Sequence, residues 1–327
     1  MKIQRRRLTA LALAGAFASL AAAPALAQSA YPDKPVRIVV PFVPGGPVDV
    51  MARVLGEQLS KSMGGAFVVD NRPGAGGNIG SAAVAKAPAD GYTLLLATGS
   101  ILTINEWIYP RLGFDPVKDL APISLVGDMP LIVTVNASVP AKTVQELVAR
   151  GKSGDLSFSS PGSGTTPHLA AELFKREAGV PAALHVPYKG GAESATAILS
   201  GQVTGGIETP PAVLPHIRAG KMRALAVTGP ARMADLPDVP TTEEAGLPAV
   251  KIVSWFGLVA PAGTPAPIIE KLNAETVRAL QSPEVQQRFS MLAIRAVSSS
   301  PAEMAGLVRE DREKWGRVVK EAGIRLQ

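Results

Sequence analysis

Cysteine is absent from the 327 residues, which excludes disulfides, thiol nucleophiles and cysteine metal sites. Histidine occurs three times, at His168, His185 and His216, with no spacing that suits a bound metal. The apolar run from Leu8 to Ala23 stops at 16 residues, short of the ~20 that a helical span needs, and no later stretch is long enough either. The chain lacks internal repeats and low-complexity segments beyond that run. It also lacks a real charge surplus. Of 33 basic and 27 acidic residues, four basic and no acidic ones fall in the first 27 positions, leaving 29 against 27 beyond them. A basic face for nucleic acid is thereby excluded.

What is present begins with a leader. Lys2, Arg5, Arg6 and Arg7 precede the uncharged run, and Pro24 stands before Ala25, Leu26 and Ala27 in a small-x-small pattern. This predicts a secretory signal, residues 1–27, cut after Ala27, and hence a periplasmic protein. Arg6 and Arg7 suit a twin-arginine signal, and the same arginines suit the general export route. About 300 residues then remain, more than one hydrophobic core usually organises, so two lobes are expected.

Short runs rich in Val, Ile and Leu alternate with helical patterns. Strands are predicted at 36–42, 67–70, 93–98, 123–135, 156–160, 184–188, 203–208, 224–228 and 251–260. Thr143 with Glu146 and Thr241 with Glu244 have capping-box spacing. Thr166-Pro167, Thr264-Pro265, Ser282-Pro283 and Ser300-Pro301 each pair an N-cap residue with a proline at the first helical position. The alternation implies an α/β fold with parallel sheets covered on both faces. The apolar segments 123–136 and 251–261 are too long for ordinary strands. If each passes from one sheet to another, residues 28–128 plus 257–327 form one lobe and 129–256 the second, with a double-crossover hinge and a ligand cleft between them.

Val36 to Leu59 runs from a buried-type strand through Pro44-Gly45-Gly46 into a helix with Val48, Met51, Leu55 and Leu59 on one stripe. Such a junction aims backbone N–H groups and a helix N-terminus at one point, which makes an anion receptor. A second polar turn, Ser159 to Thr166, ends at another helix start. A serine-hydrolase elbow is excluded there, because Ser163 has glycine on both sides rather than two residues away. The run Gly74 to Gly80 has G-x-G-x-x-x-G spacing, which a dinucleotide site does not use; Asn78 within it reads as an N-cap. No cofactor and no metal site is expected.

The segments YPDKPVRIVVPFVPGG, DNRPGAGGNIG, DGYTLL, SSPGSGTTPHLA, HVPYKGG, MRALAVTGPAR, LPDVPTTEEAGLP, SWFGLVAPAGTP and WGRVVKEAGI occur in that order. Together they resemble the Bug (TctC-like) solute receptors of tripartite tricarboxylate transport systems over essentially the whole chain after the leader. The resemblance implies a type II periplasmic binding protein fold and a non-enzymatic, monomeric receptor. Its implied partners are a small organic acid and the integral membrane permease subunits. It also implies that one ligand carboxylate is held mainly by backbone amides of two facing loops and by bridging waters.

Carried onto this chain, the first loop offers Phe42, Gly45, Gly46 and Asp49, where Asp49 caps the helix or anchors the loop. Pro47 and Val48 stand where many relatives have two threonines, which removes two hydroxyls and one N–H. The second loop offers Ser160, Ser163, Gly164, Thr165 and Thr166. His168 orients that loop or satisfies only local hydrogen bonds. Thr98 and Ser100 face the cleft at the end of another strand. Tyr188 lines the pocket, while Lys189 is solvated. Glu208 and Thr209 stand where relatives often have Asp-Asn; an acid there binds an amine or holds a hinge. Alternatives to transport are a ligand-sensing receptor that signals to a partner protein, an exported enzyme on the same bilobed fold, and a cofactor-binding oxidoreductase.

Overall fold

The computed structural model describes residues 31–324; the leader and its cleavage site lie outside the described residues. One sheet contains β1 (Val36–Val40), β2 (Phe67–Asn71), β3 (Thr93–Thr98), β4 (Leu120–Pro130), β10 (Val253–Pro261) and the two-residue β11 (Arg295–Ala296), in the order β11-β4-β10-β3-β1-β2. A second sheet contains β5 (Ile132–Asn136), β6 (Ser157–Ser160), β7 (Leu184–Pro187), β8 (Gly205–Glu208) and β9 (Met222–Val227), in the order β7-β6-β8-β5-β9. β1 and β3 are apolar almost throughout, as strands covered on both faces must be: Val36, Ile38, Val39 and Val40, then all of Thr93 to Thr98, are buried.

The sheets are not fully parallel as the alternating pattern suggested. β1, β2 and β3 are parallel, as are β6, β7 and β8, but β10 runs antiparallel to β3 and β4, and β5 antiparallel to β8 and β9. β10 and β5 are strands at which the chain passes between sheets, so their direction follows from the crossing itself; the two-residue edge strand β11 is also antiparallel, to β4. The long apolar run 123–136 divides at Leu131, with β4 in one sheet and β5 in the other. The run 251–261 does not divide. All of β10 pairs in the first sheet, Val253 opposite Pro130 onward, while the N–H of Ile252 donates to Thr228 O at 2.9 Å. The return crossing therefore falls at Ile252 rather than near Phe256, and residues 129–130 and 253–256 belong with the first sheet.

The last helix, α11 (Pro301–Ala322), serves both cores. Met304 and Val308 pack with Val39, Leu95, Trp255 and Val259 of the first sheet. Trp315, Val318 and Val319 join the core of the second, with Phe158 of its β6 and with Leu169 and Phe174 of the helix that covers it. One continuous apolar stripe reads the same whichever core receives it, so the sequence reading that gives all of 257–327 to one lobe does not show this division. Residues Lys34–Gln327 cohere as one compact unit.

The helix starts follow the capping rules unevenly. Ser282 caps α10 (Pro283–Ser290), and Ser300 with Glu303 forms a full capping box on α11. Thr143 caps α5 (Val144–Lys152). Thr241 and Glu244 bond reciprocally, at 3.0 and 2.8 Å, but close a turn rather than a helix. Thr264 donates to Pro261 O at 2.7 Å instead of capping, and Pro265 takes the N-cap position of α9 (Ala266–Gln281).

Candidate functional site

In each sheet the strand order reverses beside its first parallel strand, and the crevice outside the carboxyl ends of strands at such a switch is where α/β sheets hold ligands. The loops at those ends follow β1, β3, β6 and β8, and they carry most of the residues that the sequence singles out.

After β1, the chain turns through Phe42 to Gly46 into α1 (Pro47–Met63), whose N-cap is Gly46 and which has no side-chain cap. Val43 is 60% exposed, and Gly45 sits at φ +87°, where only glycine is unstrained. Asp49 anchors this loop. Its carboxylate is buried, accepts from Gly45 N (2.9 Å), Asn71 Nδ2 (2.9 Å) and the Arg53 guanidinium (3.0 Å), and so has no free oxygen to spare for capping. Burial raises the Asp49 pKa, but the hydrogen bonds from Arg53, Gly45 and Asn71 outweigh it and hold the carboxyl below its ordinary value. After β3, Thr98 caps α3 (Gly99–Thr103) through Ile101 N (3.4 Å), and its hydroxyl lies 2.8 Å from that of Ser100; both residues are buried.

The second loop is more enclosed. Its helix, α6 (Thr166–Glu177), takes Thr165 rather than Thr166 as N-cap, with no side-chain cap. The Thr165 hydroxyl donates to Gly162 O instead (2.7 Å). Gly164, at φ +81°, donates its N–H to His168 Nδ1 (3.1 Å). Buried Ser160 places its hydroxyl 2.8 Å from His185 Nε2, and the two imidazoles stack at 4.0 Å. Half-buried Ser163 accepts at its carbonyl from the Tyr109 hydroxyl (3.4 Å). Tyr188 packs among Val186, Ile198 and Leu199, with its hydroxyl toward Gln202 (3.5 Å). After β8, Thr209 is the uncapped N-cap of α8 (Pro210–Arg218), while the Glu208 carboxyl turns back into the sheet onto Ser194 and Ser159.

A family profile described as "Tripartite tricarboxylate transporter family receptor" matches residues 51–324. The chain belongs to that family. Protein BugT of Bordetella pertussis is 40% identical over 97% of this chain and 98% of its own. Among solved structures, an R. palustris protein with adipate matches at TM-score 0.84 and 36% identity, over 90% of this chain and all of that one. The periplasmic binding protein BugD matches at 0.81 and 33%, with 90% and 100% covered. MatC from Rhodopseudomonas palustris with bound malate matches at 0.79 and 33%, with 88% and 100% covered. These relatives are substrate-binding receptors, and the two-lobe periplasmic binding fold is shared. No helix among the described residues is long and apolar enough to cross a membrane.

Within this family frame, two buried titratable groups, Glu208 and His168, and the half-buried His185 lie around the second loop. Burial pushes Glu208 up to about 8, against the hydrogen bonds from Ser194 and Ser159. Its Oε2 has no hydrogen-bond partner, which suits a neutral acid. Burial lowers His168 to about 3, helped by His185 and Lys175, and lowers His185 to about 4, helped by Lys175. The structure also brings together what sequence spacing did not: donor atoms of His168, Glu172 and His185 lie within 4.8 Å of one another. The chemistry fits a brace better than a metal centre. With Gly164 N–H aimed at Nδ1, neutral His168 carries its hydrogen on Nε2 and has no lone pair free there. Glu172 is already paired with Lys175 at 2.9 Å.

Sequence reasoning missed Asn105, Tyr109 and Ser194. Asn105 donates to Asn78 Oδ1 (2.6 Å) and Gly76 O (3.3 Å), beside Tyr109, which reaches Ser163. Their partners lie 14 to 54 residues away, and no periodicity announces such pairs.

Proposed function

We propose that the protein is a monomeric extracytoplasmic receptor that captures a small organic carboxylate for a tripartite tricarboxylate-type permease, binding without turnover. The two sheets are the cores of two lobes, broadly 28–128 with 257–327 and 129–256, adjusted at Leu131, Ile252 and the last helix. The acid is held between the loop of Phe42, Gly45, Gly46 and Asp49 and the loop of Ser160, Ser163, Gly164, Thr165 and Thr166. Thr98, Ser100 and Thr209 complete the walls, and His168 and Glu208 act from behind. Export with loss of residues 1–27 delivers the receptor to the periplasm, in keeping with a periplasmic relative at 33% identity.

The observation that carries this reading is the state of the helix starts at the two loops. α1 and α6 both begin with proline in the first turn and no side-chain cap, as do α8 after β8 and α9 after β10, whereas α3, α5, α10 and α11 carry their own threonine or serine cap. Uncapped first-turn amides have no intrahelical partner and attract an anion. The relatives solved with adipate and malate bind acids of the expected class.

Thermal shift against a panel of mono-, di- and tricarboxylates, beginning with adipate and malate, tests it. At about 100 times Kd a bound acid adds ~2.7 kcal/mol, a rise of several degrees. Gly46 has an ordinary φ of −79°, and a Cβ there would meet only Val43 O at 3.9 Å. Gly46→Val should therefore keep the apo midpoint and lose the shift, because the side chain occupies the space before the amides. No shift from the whole panel with wild type would overturn the reading, and a normal shift with Gly46→Val would move the site elsewhere.

A further inference from the structure

Beyond Asn105 and Tyr109, which reach the first and second loops' surroundings, α11 and the short helix α4 (Asn105–Ile108) form an open groove of about 680 Å³, lined by Trp107, Arg309, Arg312, Glu313, Arg317 and Lys320. Trp107 lies across Gly316, where a Cβ would come within 3.0 Å of the indole, and yet it remains 44% exposed. Arg312 is committed to Glu106 in a paired, partly buried contact. Among the described residues, no carboxylate lies within ion-pair distance of exposed Arg309, Arg317 or Lys320. The groove thus presents three free cations and a bare indole against one free acid, Glu313.

We propose that this groove is the docking face for an acidic protein segment, with an apolar side chain for Trp107, at the extracytoplasmic surface of the transporter's membrane subunits. The partner rests on the receptor reading above. Charge complementarity selects an acidic partner, and an exposed Trp ringed by arginines is the composition that dominates protein interfaces. The groove is concave, which suits an inserted segment rather than a flat lipid surface. Its position supplies a reason for a transporter to read it. The helix that forms it packs its first half on one core and its last half on the other, through Met304 and Val308, then Trp315, Val318 and Val319. A partner gripping Arg309 to Lys320 therefore holds an element packed against both cores.

The test uses spheroplasts that lack their own receptor, supplied with purified protein and the acid identified by thermal shift. Wild type should restore uptake. Arg309→Glu/Arg317→Glu/Lys320→Glu should lower uptake at least tenfold at limiting receptor while keeping the apo midpoint and the full ligand shift. Trp107→Ala and the milder triple glutamine variant should fall in between, and raising salt should weaken wild-type uptake. Uptake by the triple glutamate variant equal to wild type would overturn the docking face alone. Failure of wild type itself would overturn the receptor reading and this face with it. Sedimentation of wild type, but not the variant, with phosphatidylglycerol vesicles would reassign the groove to a membrane surface and overturn the protein partner.

Discussion

The two loops that follow β1 and β6 are built alike in outline, strand to turn to uncapped helix, and held by opposite means. The first is exposed at Val43 and fastened from beneath by an ionised carboxylate: Asp49 takes Gly45, Asn71 and Arg53 together. The second is enclosed and fastened by neutral groups: Ser160 against His185, His168 against Gly164, Ser159 against Glu208. The difference follows from burial. Arg53 is 54% exposed and keeps its charge in water while its partner is buried, so an ion pair is affordable at the first loop. At the second, burial disfavours the charged forms of Glu208, His168 and the half-buried His185, and Lys175, paired with Glu172, further disfavours a charge on both histidines, so these groups stay uncharged.

That contrast gives the two loops different responses to pH, and the largest expected effect lies in the second. Glu208 has its folded pKa raised, from 4.5 to about 8, so its neutral state carries no penalty below 4.5, and stability falls as pH climbs from there to about 8. His168 and His185 are shifted the other way, from 6.5 to about 3 and 4; they are neutral above 6.5, and stability is lost as pH falls below it. From pH 6.5 to 8 only Glu208 contributes of the three, by about 2 kcal/mol. Urea midpoints should therefore peak near pH 6.5 and decline toward 8, and Glu208→Gln should remove the alkaline decline while leaving the acid limb. An unchanged decline in Glu208→Gln would show that the carboxyl is ionised in the fold.

The first loop should break differently. Asp49→Ala strands the Gly45 amide and Asn71 and frees Arg53 to solvent, a loss of about 2–4 kcal/mol, or roughly 2–4 °C in midpoint per kcal/mol. Because its carboxyl sits below the ordinary range, this contribution is present above the unfolded pKa and is lost only in strong acid, so wild type and variant should differ by a constant amount from pH 6 to 8. A difference that varied across that interval would assign the Glu208 type of behaviour to the wrong loop.

Much of this contrast was legible in the sequence, and its energetic half was not. Pro44-Gly45-Gly46 and Ser159 to Thr166 announced both turns, and the proline pairs announced the helix starts to within one residue, Thr165 taking the cap that Thr166-Pro167 suggested. The overlong run 123–136 announced the first crossing. Asp49 was open between cap and anchor, and only the pairing with Asn71, 22 residues on, decides for the anchor. The second crossing was displaced because 251–261 stays in one sheet, where β4 and β3 flank it. Histidines 17 residues apart carry no spacing rule, yet the parallel pairing of β6 with β7 brings His185 beside Phe158 and lets it reach Ser160 and the ring of His168. Strand neighbours are fixed by topology, which one-dimensional patterns reach only through helices and turns.

The smallest expected effect sharpens what the second loop is. Three donor residues within 4.8 Å invite a divalent ion, and a neutral brace and a metal centre differ in which nitrogens carry hydrogen. A metal-bound imidazole donates its other N–H outward, whereas His168 receives an N–H at Nδ1 from Gly164. To ligate through Nε2 the ring would have to change tautomer and turn its N–H against that amide, releasing Gly164, while Glu172 gave up Lys175. The first loss falls on the loop proposed to hold the carboxylate and the second on the helix that follows it, so on that proposal metal binding would oppose ligand binding rather than support it. Chelators should accordingly leave the Kd for the acid and the melting midpoint unchanged, and zinc should produce no stabilisation that His185→Ala removes. A zinc-dependent rise of several degrees, abolished by that substitution, would replace the brace with a metal site and make the second loop the charged one.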